Sequence, residues 1–184
     1  MNTILTVIAV LAGVAVLWLV FTYNRLVTLR FRAKEAISDI DVQLKRRYDL
    51  IPNLVEAVKG YMAHEKGVLE NVTAARAKVA SGGDALARSH DENVLSSTLK
   101  TLFAVAENYP DLKANANFLD LQRELADTEN KIQASRRFYN TTVRDLNTKI
   151  EIFPVNLVVG TFGFSRMDFF EAEDEEKEPV QVRF

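Results

Sequence analysis

Residues that could carry chemistry are few in this sequence, and their spacing matches no catalytic or metal-binding pattern. The only histidines are His64 and His90, and neither lies in a nucleophile-elbow or comparable context. His64 and Glu65 could form half of a metal site, but a helical site needs a second ligand about one turn away, and position i+4 offers none. We therefore predict a helix-surface histidine, no metal and no catalytic residue.

Cofactor and nucleic-acid sites are not indicated either. The chain has no cysteine, which excludes thiol nucleophiles and disulfides. It has no P-loop or dinucleotide-binding glycine pattern, so Gly82 and Gly83 are interpreted as a left-handed helix cap. The acid pair at 39/41 and the acidic run at 173–176 are typical of solvated faces. Because the net charge is −2 and no aromatic platform accompanies the cations, we predict no cofactor, no nucleic-acid partner and no enzyme activity.

Charged residues on apolar helix seams are more informative. Counting from residue 37 to residue 79 in alternating steps of three and four gives positions that lie on one face of a helix. All of these positions are apolar except Arg47 and Glu65, and such an apolar stripe is called a seam below. Glu129 and Arg136 lie beside the corresponding seam of a later helix. A seam of this kind is normally buried, so each of these four charges needs a partner or a path to water.

A lone buried charge is costly, which makes pairing across helices the main hypothesis. Arg47 is expected to pair with one of three acids: Glu129, Glu107 or Asp111. Glu65 is expected to pair with a cation such as Arg136. Such pairs would fix helix register and oligomer state more than they add stability. The alternative is a partly covered face from which these side chains reach water.

The N-terminus predicts a membrane anchor. Residues 4–21 carry no charge and as a helix would span roughly 27 Å, close to the thickness of the bilayer core. No basic region or cleavage site indicates a signal peptide. Cations follow the span and none precede it, which predicts an external N-terminus and a cytoplasmic body. The expected anchor residues, the last three forming an aromatic belt, are Ile4, Leu17, Trp18, Phe21 and Tyr23.

The remaining pattern is helical. A first helix is expected to continue from the anchor to residue 80, and a second to cover 92–109 with Ser89 and Glu92 as a capping box. Pro110 would begin the next element, and a third helix would carry a seam from 118 to 153. We predict an all-α fold, in which the transmembrane helix continues into an antiparallel bundle of long helices with a coiled-coil-like cytoplasmic body. Because the first helix would be the longest, neighbouring subunits are expected to cover part of it.

Pro52 lies inside the first predicted helix. It lacks the amide that would bond to Tyr48, so either Asp49 caps a new helix or one helix bends. The seam passes through this point without a change of phase. We therefore predict one continuous helix, kinked between Tyr48 and Pro52, with Lys45 and Arg46 solvated.

The C-terminal part has a different character. Residues 153–170 hold five phenylalanines and two charged residues. We predict core or subunit-interface packing in preference to insertion into a bilayer surface, with a short strand or helix within 155–164. The interface candidates are Phe153, Phe162, Phe164, Phe169 and Phe170. The tail, 171–184, is acidic, and alternation at 180, 182 and 184 is typical of an added strand.

Four segments behind the N-terminal span also carry a family resemblance. They are SDIDVQLKRRYDLIPNLVEAVKGY, AVAENYPDLKANANFLDLQRELADTENKI, RRFYN and FPVNLVVGTFGF. In this order they make the chain similar to the LemA family of bacterial membrane-anchored helical proteins over about residues 23–170. The resemblance implies a coiled-coil-like helical body attached to the cytoplasmic membrane, and it implies no chemistry for any residue.

Together these observations predict an anchor at 1–23, a helical domain at 24–170 and an acidic tail at 171–184. The predicted function is a non-enzymatic membrane scaffold that self-associates and presents a cytoplasmic surface to partners or organises membrane. The alternative is a regulatory module that binds a peptide or lipid. The predicted location is the bacterial cytoplasmic (inner) membrane, crossed once. The expected partners are further copies of the chain, the lipid bilayer and unidentified membrane or cytoplasmic proteins.

Overall fold

The structure, a computed structural model, describes residues 2–170, and all regular structure within them is helical. The elements in chain order are α1 (Asn2–Lys59), α2 (Lys66–Ala80), α3 (Ser89–Ala106), α4 (Pro110–Lys113) and α5 (Ala116–Glu151). Two short 3₁₀ helices follow, Val155–Leu157 and Val159–Phe162. The predicted all-α class is confirmed. The acidic tail and its suggested strand lie outside the described residues.

The chain forms two compact units. The described part of the anchor unit is 2–36 with 138–169, and that of the bundle unit is 37–137 with Phe170. Both α1 and α5 contribute residues to each unit. The predicted anchor, helical domain and tail are a functional division that this structural one does not test.

Helix α1 runs through Pro52 without a break, as the phase of the seam predicted. The prediction that it continues to residue 80 is wrong, because α1 ends at Lys59 and turns occupy 60–65 before α2 begins. Gly60 and Gly67 flank the break, and each has open space where a Cβ would lie. Their role is therefore backbone freedom, which weakens a helix by roughly 1 kcal/mol per glycine relative to alanine.

The break removes the length mismatch expected from the sequence. Residues 24–59 of α1 and 116–151 of α5 are equal in length, about 54 Å each as helices. Neighbouring subunits are therefore not required to cover a surplus of α1.

In the described part of the bundle unit, α1, α2, α3 and α5 all contribute to an apolar core. The predicted seam is buried on both sides of the break, since Ile51 and Leu54 precede it and Val72 and Val79 follow it. The members of the core share nearly complete burial: Ile51, Leu54, Val58, Met62, Val72, Ala75, Val79, Leu95, Leu99, Leu102, Ala106, Leu112, Phe118 and Leu125.

Some of the observed helix ends agree with the capping signals in the local sequence, and others do not. Pro110 occupies the first turn of α4 as predicted. Asn115 caps α5, because its Oδ1 accepts the amide N–H of Phe118 at 3.1 Å. The predicted capping box is wrong: α3 begins at Ser89 with Arg88 before it and has no side-chain cap. Glu92 has another use, described below.

The anchor unit has its own apolar cluster, formed where the end of α5 and the 3₁₀ helices pack on α1. Its buried members are Leu26, Leu29, Leu146, Ile150, Val155, Val159 and Phe164. Within 155–164 the chain forms the two 3₁₀ helices Val155–Leu157 and Val159–Phe162, so the helix alternative is confirmed and the strand alternative is wrong for this segment. Ahead of this cluster, α1 carries a stretch long and apolar enough to cross a membrane, with none of it buried inside the chain.

Candidate functional site

A buried charge cluster is the main polar feature of the bundle unit. Arg47 of α1 is 0% exposed and Glu92 of α3 is 1% exposed, while Glu129 of α5 is half-buried. The Arg47 Nη1 lies 2.6 Å from the Glu129 Oε2, and its Nη2 donates to the Glu92 carboxylate. One guanidinium therefore joins three helices.

Further acceptors surround the Arg47 Nη atoms, while its Nε has no hydrogen-bond partner within residues 2–170. Its Nη1 also donates to the Ser96 hydroxyl, and its Nη2 donates to the Glu92 carbonyl at 3.2 Å. A planar guanidinium suits such forked bonding, which offsets the cost of dehydrating the charge. The alternative in which Arg47 reaches water is therefore excluded by its burial.

The structure brings Arg47 to one of its three candidate acids, Glu129, and not to the other two. Glu107 pairs with Lys113, and Asp111 is exposed. Sequence reasoning missed Glu92 because its spacing from Ser89 was interpreted as a capping box. Glu92 lies near the apolar positions of α3. An acidic residue in such a position could equally have been predicted to pair with an arginine on a seam.

The cluster extends to a second arginine. Arg88 Nη2 donates to Asp41 Oδ1 at 3.2 Å, and its Nε lies 3.9 Å from Glu92 Oε1. The cluster thus contains two guanidinium groups and three carboxylates, for a formal charge of 2 − 3 = −1. A Cβ on Gly82 would lie 2.3 Å from the Arg88 Cγ.

This close approach explains why a glycine stands at position 82. The predicted left-handed cap is wrong, since Gly163 is the residue with a positive φ within 2–170. Gly82 is required instead because any side chain there would displace the stem of Arg88.

Within the described part of the chain, two clefts reach the charge cluster. One, of about 400 Å³, includes Asp41, Lys45, Arg88 and Glu92 in its lining, but Arg88 is already paired with Asp41 and Lys45 with Asp49. The other measures about 230 Å³ and ends at Arg47, Ser96 and Glu129. That volume is below the roughly 300–1,000 Å³ usual for small-molecule sites. The cluster is therefore suited to holding helices together more than to binding a ligand.

Glu65 and Arg136 are not brought together, so their predicted ion pair is wrong. Glu65 lies in the turn after α1 and accepts a hydrogen bond from the Tyr109 hydroxyl at 2.9 Å. Arg136 Nη1 donates to Asn93 Oδ1 at 2.8 Å, and its guanidinium lies 4.5 Å from the centroid of the Phe170 ring. Because the break at 60–65 takes Glu65 off the helical seam, its seam position no longer predicts its neighbour.

The Glu65 carboxylate also affects the tyrosine it contacts. The hydrogen bond from Tyr109, with smaller contributions from burial and the negative charge of Glu65, raises the pKa of Tyr109 above its ordinary value. The protonated phenol is the form that can donate, so this contact holds the turn only while Tyr109 is protonated.

The carbonyl that Pro52 leaves without a main-chain donor inside α1 is bonded by a residue that the sequence did not single out. Pro52 has no amide to bond to the Tyr48 carbonyl. Arg76 of α2 supplies the bond, with its Nε donating to that carbonyl at 3.1 Å and its guanidinium 3.8 Å from the Tyr48 ring centroid. No local pattern identifies Arg76, since it lies 28 positions from Tyr48.

Two other cations that precede Pro52 in α1 lie at the surface. Lys45 pairs with Asp49 at 3.3 Å and is largely exposed, as predicted. Arg46 is only half-exposed and pairs with Glu124 and Asp127 of α5. A hydrogen bond from Lys131, together with the positive charges of Lys131 and Arg46, lowers the pKa of Asp127.

Two of the candidate interface phenylalanines pack inside the anchor unit. The rings of Phe162 and Phe164 meet the Tyr23 ring edge-on, with centroids 5.4 and 6.0 Å away. Arg30 places its guanidinium 4.6 Å from the centroid of Phe164. Tyr23 thus has protein contacts besides its expected place in an aromatic belt.

The remaining candidates separate into buried and exposed. Phe170 is buried against Arg136, whereas Phe153 and Phe169 are exposed. Trp18 packs against the anchor-unit cluster, while Ile4, Leu17 and Phe21 project from α1 uncovered. Within residues 2–170, no group of three or more acidic or histidine side chains is placed to hold a metal ion.

The apolar helix and the helical body define the class as a membrane-associated all-helical protein. Comparison with known sequences gives the family. The profile of the LemA family matches residues 36–184, and the chain belongs to this family.

Named relatives are similar over most of the chain. Protein LemA of Metamycoplasma hominis is 27% identical over 160 residues, which cover 86% of this chain and 73% of the relative. Magnetosome protein MamQ 2 of Paramagnetospirillum magneticum is 25% identical, covering 96% of this chain and 75% of the relative. Magnetosome protein MamQ of Magnetospirillum gryphiswaldense is 22% identical, covering 94% and 74%.

Proposed function

We propose that this protein is a non-enzymatic scaffold that is anchored in the bacterial cytoplasmic membrane and self-associates through its bundle unit. The proposal is carried by an open groove of about 460 Å³ between α1 and α2. The groove is lined by Val55, Glu56, Lys59, Leu69, Glu70, Thr73, Ala74 and Ala77. Its alanines leave room for another helix to approach closely, as ridges-into-grooves packing requires.

The charges at this groove favour a second copy of the chain as its occupant. Glu56, Lys59 and Glu70 combine both signs, and none of the three is ion-paired within residues 2–170. A two-fold contact places the same surface on both subunits. An acid of one copy can then face Lys59 of the other, which gives complementary charge around an apolar centre.

The anchor and the family support the membrane part of the proposal. The charge-free span begins near the N-terminus, and the LemA family and the MamQ relatives support a membrane-associated helical protein. The cations that follow the span support an external N-terminus with the body in the cytoplasm. The same groove would serve the alternative function, capture of a foreign peptide helix, so the test has to separate these two occupants.

The test is the mass of the full-length protein in a mild detergent, measured by light scattering over a range of concentrations. We expect a defined oligomer that Ala77→Arg dissociates, because the new side chain fills the groove. Asn71→Arg is the matched control, since Asn71 is exposed on the same helix and lies outside the groove lining. A monomer at all concentrations, or an oligomer insensitive to Ala77→Arg, would contradict self-association through this groove.

A further inference from the structure

The anchor unit contains a loop without charge that is closed at its base. Residues 152–165 carry no charged side chain, and the residues on either side of them pair, with Arg166 Nε donating to Glu151 Oε1 at 2.6 Å. Asn147 then fixes the chain as it leaves the loop. Its amide group donates to the Met167 carbonyl at 2.9 Å and accepts the Met167 N–H at 3.0 Å. The 152–165 loop is therefore held in a defined position on α5.

The inner side of this loop packs on the part of α1 that follows the membrane span. Val155, Val159 and Phe164 share a cluster with Leu26 and Leu29 of α1. Two further α1 residues, Trp18 and Val27, complete it from the edge. The loop is thus placed beside the stretch of α1 from residue 18 to residue 29.

That stretch is where α1 would leave the bilayer. Trp18 belongs to the charge-free run, and Arg25 is the first cation after it, roughly 10 Å further along the helix axis. Aromatic residues and the first cations characterise the interfacial layer of a membrane. A loop packed at this level has its outer side within reach of lipid.

The outer side of the loop is apolar and uncovered. Phe153 is 77% exposed, Leu157 is 70% exposed and Ile152 is also exposed. Leaving such side chains in water is unfavourable in proportion to the apolar surface that could be buried. An exposed apolar cluster next to a membrane span calls for a specific occupant.

We propose that the 152–165 loop is a second membrane contact, with Phe153 and Leu157 inserted at the headgroup–acyl boundary of the bilayer that α1 crosses. The bilayer is favoured as occupant because the loop adjoins the span directly and has no charge to dehydrate. An aromatic ring beside a leucine is also a composition that partitions into this layer. The proposal requires α1 to be in the membrane and is independent of self-association.

The chain allows a direct depth measurement, because it has no cysteine and a single tryptophan, Trp18. Full-length single-cysteine variants Phe153→Cys and Leu157→Cys would carry an environment-sensitive fluorophore in vesicles of phosphatidylcholine and phosphatidylglycerol. Phe138→Cys is the matched control, since Phe138 is an exposed phenylalanine of the same unit roughly 21 Å before Ile152 along α5. Helical circular dichroism confirms folding of each variant.

Quenching by lipids with a nitroxide near the headgroup should be at least about twofold stronger at 153 and 157 than at 138, with iodide in the water having the reverse order. Trp18 quenching by the same lipids gives the reference depth of the span. Equal iodide access at all three positions would overturn the proposal. Shielding of 153 and 157 from both quenchers would overturn it too, because a second copy or another protein would then cover the loop.

Discussion

The bundle unit and the anchor unit differ in what they bury. The bundle unit encloses Arg47 with carboxylates from two other helices, whereas the anchor unit is held by an apolar cluster and by ring contacts around Tyr23. Ion-paired hydrogen bonds depend on direction and distance, so they accept a single helix register. Apolar contacts are less directional. The difference indicates that buried ion pairs specify helix register in the bundle unit, while the anchor unit relies on apolar burial, with hydrogen bonds such as those between Asn147 and Met167 placing its loop.

Removing the central cation of the bundle unit should have the largest effect. Arg47→Met leaves Glu92 buried without its main partner, and we expect the free energy of unfolding to fall by about 3–5 kcal/mol. Arg46→Met is the matched control, since Arg46 is half-exposed in its pairs with Glu124 and Asp127, and it should cost less than about 1 kcal/mol. Urea titration of the full chain in detergent measures both. If the two variants lost similar amounts of unfolding free energy, burial of its ion pairs would not be what distinguishes the bundle unit from the anchor unit.

In the anchor unit, we expect the largest loss of stability when a buried side chain of its apolar cluster is truncated. Phe164→Ala deletes a buried ring between Tyr23 and Arg30, at an expected local cost of about 3 kcal/mol. Phe153→Ala should change stability in detergent by less than about 0.5 kcal/mol because Phe153 is exposed. Hydrogen exchange of the amides of 155–167 reports this local stability. A large effect from Phe153→Ala in detergent would show that Phe153 has a structural role inside the unit.

The hydrogen bond from Arg76 to the Tyr48 carbonyl is a directional contact of the bundle unit that can be tested by mutation. Arg76→Met should cost about 1–2 kcal/mol, because it leaves the Tyr48 carbonyl without its donor. Pro52→Ala restores a main-chain N–H for that carbonyl, so the loss from Arg76→Met should be smaller in the Pro52→Ala background. A double-mutant cycle of unfolding free energies measures this coupling. Strictly additive losses would mean that Arg76 stabilises the fold by its ring contact alone.

The smallest expected effect is a pH dependence at the turn between α1 and α2. Because the pKa of Tyr109 is raised from 10.0, its contribution is present below that value and is lost as pH rises through the folded-state pKa. Tyr109→Phe should abolish the alkaline loss of stability attributable to this turn. Unfolding free energy against pH, with tyrosinate absorbance, provides the measurement. An identical alkaline profile in the variant would exclude the Glu65 contact as its cause.

The sequence predicted much of the fold because apolar spacing determines which helix faces are buried. The heptad phase through Arg47 and Leu54 correctly indicated that Pro52 does not end α1. The same phase concealed the break after Lys59, since the turn at 60–65 restores the seam in α2. Two glycines near that break, Gly60 and Gly67, were the better guide.

The charge cluster was harder to predict because its members are far apart in the chain. An arginine on an apolar seam indicates that a carboxylate partner is required. The residue spacing within one helix does not show which acidic residue of another helix is that partner. Glu129 was therefore one of three candidates, and Glu92 had a plausible local role as a capping residue. Arg76 was missed for the same reason, because only the folded chain places it beside the carbonyl that Pro52 leaves without a donor.

The position of Arg47 also determines when the bundle can close during synthesis. Its two carboxylate partners, Glu92 and Glu129, follow it by 45 and 82 residues. The chain emerges N-terminus first, and the guanidinium remains hydrated until both acids are available, since dehydration without them is unfavourable. The apolar N-terminal span and the first 14 residues of α5, up to Glu129, are therefore made before α1 can be enclosed. A single charge in an apolar seam thus ties closure of the bundle unit to synthesis of the segment that carries Glu129.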